Sequence, residues 1–146
     1  MSDLDSPPAD DTQDGVSIVE VRTSASAALI PTIRAVASDL AARADFDLDA
    51  ISDLRMAVDE ACATLVELAA ATSTLECTFA VHPDRIEVSA QVRAGTADAA
   101  VSTDTFGWRV LQTLADDVEA IRHTSVDHRG PTVGIRLDKR AGLQPR

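Results

Sequence analysis

Residues 53–64 read DLRMAVDEACAT and lie within a longer segment, residues 48–70, whose apolar residues recur every three to four positions. That spacing is typical of an amphipathic α-helix. At about 100° per residue, a second set of side chains falls on one line beside the apolar stripe. This polar line fits either the wall of a pocket or a solvated helix face, and it consists of Asp53, Glu60, Thr64 and Glu67.

Length and composition favour one domain with an aliphatic core. The chain has 146 residues, of which 45% are hydrophobic and only 3% aromatic. Residues 1–14 contain five Asp and two Pro, which predicts a disordered acidic tail. A single domain is then expected over residues 15–140, with a short C-terminal tail at residues 141–146.

The lack of a recognisable targeting signal and the spacing of the cysteines both favour a cytoplasmic location. No apolar run approaches the length of a membrane span, and the N-terminus lacks the pattern of a signal peptide. The two cysteines, Cys62 and Cys77, have no spacing typical of a disulfide framework or a metal site. We therefore expect a reduced, cytoplasmic protein without membrane contact, in which Cys62 belongs to the core.

The net charge of −11 restricts the choice of partners. Direct binding to nucleic acid is not expected, because neutralising phosphates requires a basic surface. An acidic surface instead suits a basic protein partner, which it attracts over a distance and distinguishes from acidic competitors. Solubility alone would also account for the charge.

Periodicity along the chain predicts five strands and three helices. This order predicts an α+β fold, a two-layer sandwich with helices on one face of a mostly antiparallel sheet. Asp47 or Asp49 is expected to cap the second helix. Asp116 and Asp117 are expected at the C-terminal end of the third helix. The predicted strands span residues 16–21, 75–81, 86–92, 118–123 and 133–137, and the predicted helices span about residues 25–44, 48–70 and 107–117. Because proline is tolerated only in the first turn of a helix, the regular part of the first helix is expected to start close to Pro31.

Three segments, in order, resemble one bacterial protein family. The first is LIPTIR at residues 29–34 followed by DLRMAVDEAC at residues 53–62. The second is GWRVLQTLADDV at residues 107–118, and the third is GPTVGIRL at residues 130–137. Together they are similar to the RsbW and SpoIIAB group of anti-sigma factors, which are serine protein kinases built on the GHKL (Bergerat) ATP-binding fold. The likeness covers nearly the whole chain after the acidic tail.

The resemblance implies roles for individual residues. Glu60 matches the glutamate that acts as general base on the substrate serine, a task that suits a carboxylate. Thr64 stands where the family has an asparagine that holds Mg²⁺. Arg34 matches an arginine near the dimer and sigma-factor contact surface. The retained ATP-binding positions are Gly95, Gly107 and Thr132.

The nucleotide-binding motifs depart from the family pattern. The family's Asp-x-Gly-x-Gly aligns with RAGTA at residues 93–97, where Arg93 offers no acceptor for the adenine amino group and only Gly95 of the two glycines remains. The lid glycines, usually Gly-x-Gly, correspond to TFG at residues 105–107. With threonine at position 64, these changes indicate a degenerate site for ATP and Mg²⁺.

On this resemblance we expect an anti-sigma factor that sequesters an alternative sigma factor, acts as a homodimer and is released by an anti-anti-sigma protein. The alternative is an active kinase that uses MgATP and Glu60 to phosphorylate the anti-anti-sigma protein. A third reading is a GHKL-like domain that serves an unrelated regulator. Trp108 fits either an interface anchor or the one large aromatic residue of the core.

Overall fold

The structure, a computed structural model, describes residues 15–124 and 130–142. The predicted N-terminal tail and most of the predicted C-terminal tail lie outside these residues. Within them, no helix is both long enough and apolar enough to cross a membrane. The elements are β1 (Ser17–Ser24), α1 (Ile30–Arg43), α2 (Leu48–Leu68), β2 (Thr74–Val81), β3 (Arg85–Arg93), α3 (Phe106–Leu114), β4 (Asp117–His123) and β5 (Thr132–Arg140).

The strands form one five-stranded sheet in the order β1-β2-β3-β5-β4, and each neighbouring pair is antiparallel. The predicted hairpin of β2 and β3 is present and turns at residues 82–84. The last strand, β5, inserts between β3 and β4. The predicted α+β class with an antiparallel sheet is therefore confirmed.

The helices cover one face of the sheet, and the core lies between the two layers. Along β3, every second residue from Ile86 to Val92 is buried, while the residues between them are not, as expected for a strand with one covered face. From the helix layer, Leu54 and Leu65 of α2 are fully buried. Trp108 is only 7% exposed, so it belongs to the core.

Local signals determine where the first two helices begin. Asp47 caps α2, because its side chain accepts a hydrogen bond of 2.8 Å from the backbone N–H of Ala50. The first helix begins at Ile30, next to Pro31, where its regular part was predicted to start. Residues 27–29 form a 3₁₀ turn capped by Ser26, and Pro31 occupies the first turn of α1.

The predicted C-terminal end of the third helix is wrong. α3 ends at Leu114, and Ala115 is already in an extended conformation. Asp117 is the first residue of β4, and the carboxylate of Asp116 accepts a hydrogen bond of 2.7 Å from the backbone N–H of Arg140. Neither carboxylate therefore lies at a helix C-terminus, where the helix dipole would disfavour it.

The ordered contacts at the C-terminal end continue through Ala141. Its N–H donates to the carbonyl of Asp84 at 2.9 Å, and its carbonyl accepts from the N–H of Asp47 at 3.1 Å. Ala141 is only 8% exposed. These bonds link the end of β5 to the β2–β3 turn and to the start of α2.

The two cysteines form a buried pair between the layers. The Sγ atoms of Cys62 on α2 and Cys77 on β2 are 4.0 Å apart, and each residue is 1% exposed. The pKa of Cys62 is raised far above its ordinary value by the hydrogen bond to Cys77 and by burial. Because the thiolate is the reactive form, the Cys62 thiol stays unreactive in the folded protein.

We expect this burial to govern thiol modification. In the folded protein, an aromatic disulfide reagent should leave both thiols unmodified even at pH 9, since the raised pKa keeps Cys62 protonated while burial excludes the reagent. Both thiols should react rapidly in guanidinium chloride. Absorbance of the released thiolate measures both rates, and fast reaction of either thiol in the folded protein would contradict this packing.

Candidate functional site

A cleft lies between the C-terminal half of α2, the loop after β3 and the start of α3. Its volume is about 260 Å³. Three members of the polar line predicted on α2 share its wall, whereas the fourth, Asp53, accepts a hydrogen bond of 3.3 Å from Lys139 instead. The lining residues are Glu60, Thr64, Glu67, Leu68, Ala100, Ser102, Thr105 and Gly107.

Glu60 and Gly107 meet at the start of α3. The carboxylate of Glu60 lies so close to Gly107 that a Cβ at position 107 would overlap Glu60 Oε2. Thr105 caps the helix by accepting a hydrogen bond of 3.0 Å from the N–H of Trp108. A helix N-terminus favours negative charge, and the Glu60 carboxylate lies beside this one.

The Thr64 side chain is directed toward its own helix. Its hydroxyl donates to the backbone carbonyl of Glu60 at 2.9 Å and lies 3.4 Å from Glu60 Oε2. Across the described residues, no group of three or more His, Cys, Asp or Glu side chains could hold a metal ion. The metal role of Thr64 therefore stays a prediction.

Arg34 forms a separate site on the helix layer. Its Nη1 donates to Asp59 Oδ2 at 3.0 Å, which links α1 to α2. The Arg34 side chain is 39% exposed, and the remaining donors of its guanidinium are not used by this bond. Arg34 is not among the residues that line the Glu60 cleft.

The structure does not bring all the predicted ATP-binding residues together. Gly95 lies at the end of β3, where its N–H donates to the carbonyl of Leu68 at 3.0 Å, outside the lining of the cleft. Thr132 is the first residue of β5, and the next residue, Val133, is fully buried against the helices. Because side chains alternate along a strand, Thr132 faces the uncovered side of the sheet, away from Glu60.

Arg122 of β4 holds the loop that closes the cleft, and no motif had indicated it. Its Nε donates to the carbonyl of Ala99 at 2.8 Å, and its Nη2 donates to that of Ala97 at 2.7 Å. Ala99 and Val101 are each 8% exposed, so this loop is packed onto the core. The sequence offered no motif at Arg122. In the sheet, Arg122 pairs with Val133 of β5, which is buried.

Arg122→Gln is expected to loosen this loop. Losing two charge-assisted hydrogen bonds at a partly exposed site should cost about 1 kcal/mol and speed amide exchange over residues 95–101. Hydrogen exchange followed by mass spectrometry measures this directly. Arg109→Gln is the matched control, because Arg109 is an exposed arginine on α3. Equal exchange in the two variants would contradict the role of Arg122.

The residues of the cleft do not fit MgATP. Among the described residues that line the cleft, two are glutamates and none is Lys or Arg, so no described side chain there would compensate the charge of a triphosphate. Small-molecule pockets typically have volumes of about 300 to 1,000 Å³, more than the 260 Å³ of this cleft. Arg93, which takes the place of the adenine-binding aspartate, follows Val92, which is buried against the helices, and therefore lies on the other face of the sheet.

Comparison with known proteins identifies the family. Residues 23–136 match the histidine kinase-like ATPase domain family. The chain is also 33% identical, over 147 aligned positions, to the anti-sigma-F factor RsbW of Mycobacterium tuberculosis, from both strain CDC 1551 / Oshkosh and strain H37Rv. That alignment covers 100% of this chain and 86% of the relative. The protein therefore belongs to the histidine kinase-like ATPase domain family and, within it, to the RsbW-type anti-sigma factors.

Proposed function

We propose that this protein binds and sequesters an alternative sigma factor by surface contact alone, without MgATP. The observation that carries the proposal is the lining of the cleft, in which the Glu60 carboxylate lies against Gly107 and none of the described side chains is cationic. The relative named as an anti-sigma-F factor supports the sigma-factor part of the proposal. The protein would act in the cytoplasm.

The proposed partner surface is on the helix layer around Arg34. A half-exposed arginine offers a planar fork to a carboxylate of the partner, and arginine is enriched among residues that dominate binding energy. The net charge of −11 favours basic surfaces of the partner elsewhere. We further propose a homodimer and release by a competing anti-anti-sigma protein.

Gel filtration with the cognate sigma factor tests sequestration. A mixture should elute as one complex, and transcription by the sigma-containing polymerase should fall as the anti-sigma protein is added. Light scattering on the same column gives the mass of the protein alone and tests the homodimer. Absence of co-elution with the sigma factor would overturn the proposal.

Calorimetric titration with MgATP tests the cofactor. We expect no saturable heat at millimolar nucleotide, because the described lining of the cleft offers two carboxylates and no cation to a triphosphate. Glu60→Gln should inhibit the sigma factor as well as the unmodified protein does. Saturable binding of MgATP, with phosphate transfer to the anti-anti-sigma protein that is lost in Glu60→Gln, would instead establish the kinase alternative.

A further inference from the structure

The uncovered face of the sheet carries a second depression, at the end where β2 starts and β3 ends. Its volume is about 270 Å³, and it shares no lining residue with the Glu60 cleft. Its side chains are mostly polar and contain a single guanidinium and a single carboxylate. They belong to Thr72, Ser73, Thr74, Glu76, Gln91, Val92, Arg93 and Thr132.

Arg93 is the exception among the half-buried arginines of the described residues. Arg34, Arg85 and Arg136 each have a carboxylate within 4.0 Å. Arg93 is half-buried too, yet within residues 15–124 and 130–142 its side chain has no ion-pair or hydrogen-bond partner. Removing a guanidinium from water without a partner is costly, so this cation lacks the anion that would compensate it.

Unused hydroxyl groups surround this cation. Ser73 is 6% exposed and its Oγ has no hydrogen-bond partner. The hydroxyls of Thr74 and Thr132, which line the same depression, likewise have no partner among the residues that the structure describes. A buried hydroxyl normally finds a partner, which Ser73 lacks. Thr74 is exposed and Thr132 half-buried, so their hydroxyls can donate to a group that enters the depression.

The one carboxylate of the depression is already compensated. Glu76 Oε2 lies 3.4 Å from Nη2 of Arg22, and Glu76 Oε1 accepts a hydrogen bond of 3.1 Å from Gln91 Nε2. The charge of Arg93 therefore remains uncompensated in a protein whose net charge is −11. An oxyanion is the chemical group that such a site would take.

We propose that this depression binds a phosphate group through the Arg93 guanidinium and the hydroxyls of Thr74 and Thr132. A guanidinium binds phosphate oxygens in pairs, and the hydroxyls can donate to the remaining oxygens. The group can come from free phosphate or from a phosphorylated side chain, which share this chemistry. The site includes neither Arg34 nor any residue that lines the Glu60 cleft.

NMR titration of the full chain tests the site with inorganic phosphate and, in a second arm, with O-phosphoserine. Saturable shifts are expected at the amides of residues 72–74, 91–93 and 132, with a dissociation constant in the millimolar range. Tighter binding of O-phosphoserine would identify a phosphorylated side chain as the source, and equal or weaker binding would identify free phosphate.

Two variants distinguish phosphate binding at this site from non-specific attraction of anions to basic side chains. Arg93→Gln should weaken phosphate binding about tenfold, since it removes a charge-assisted contact. Arg109→Gln removes an exposed arginine elsewhere and should bind as the unmodified protein does. Non-saturable shifts, equal binding by Arg93→Gln, or shifts centred on residues 105–108 at the start of α3 would each overturn the proposal.

Discussion

Gly134→Val is expected to destabilise the protein by about 3 kcal/mol, a large share of the stability of a domain of this size. Gly134 lies in β5, between the two strands that flank it. A Cβ at this position would lie 2.6 Å from the backbone carbonyl oxygen of Ala90 and 3.2 Å from Cβ of Gln91. The carbonyl belongs to the neighbouring strand, so relieving the clash requires the paired strands to separate.

Urea unfolding measures this loss of stability. Gly95→Ala is the matched control, because the nearest heavy atom to its new Cβ would be 3.5 Å away, an ordinary van der Waals distance. Its free energy of unfolding should stay within about 0.5 kcal/mol of the unmodified protein. If Gly134→Val unfolded at the same urea concentration as this control, the pairing of β3 with β5 described above would be wrong.

Arg34→Ala is expected to weaken sigma-factor binding by about 2 kcal/mol, roughly 30-fold in the dissociation constant. This prediction depends on the proposed function. Arg34 has donors left over from its ion pair with Asp59, and its planar fork suits a carboxylate of the partner. Arg34→Lys should recover only part of the affinity, since an ammonium group keeps the charge without the fork.

Arg43→Ala provides the control for Arg34. Arg43 is on the same helix and also pairs with an aspartate, Asp39, at 2.8 Å, but its side chain is 76% exposed. Calorimetry with the sigma factor should give unchanged affinity for Arg43→Ala. Since Asp59 Oδ1 is buried without a hydrogen-bond partner, the stability of each variant must be measured as well. Equal affinities for folded Arg34→Ala and Arg43→Ala would exclude Arg34 from the partner surface.

Elements with strong periodicity were predictable from the sequence. The three-to-four spacing over α2 gave its position almost to the residue, because a long apolar stripe has few alternative structures. The alternation in β2 and β3 and the turn between them predicted the hairpin. The error falls at the end of α3, which stops at Leu114, because the position of a helix end depends on tertiary packing.

Within the site, only the residues that share helix α2 could be placed together from the sequence. Glu60, Thr64 and Glu67 were placed together because they share a face of α2, and the structure keeps them together. Thr132 was assigned by its place in a motif, but one residue of strand register decides which face of a sheet a side chain occupies. Arg122 could not be assigned to the loop at residues 97–99, since that contact joins segments more than twenty residues apart.

The place of β5 in the sheet has a consequence for the synthesis of this protein. β5 is made after the other four strands, yet it lies between β3 and β4 and pairs with both. Until residues 132–140 are available, β4 has no neighbour in the sheet, and β3 is paired along one edge only, with β2. Such open edges are prone to pairing with other chains. The chain is therefore expected to be most prone to aggregation before β5 completes the sheet.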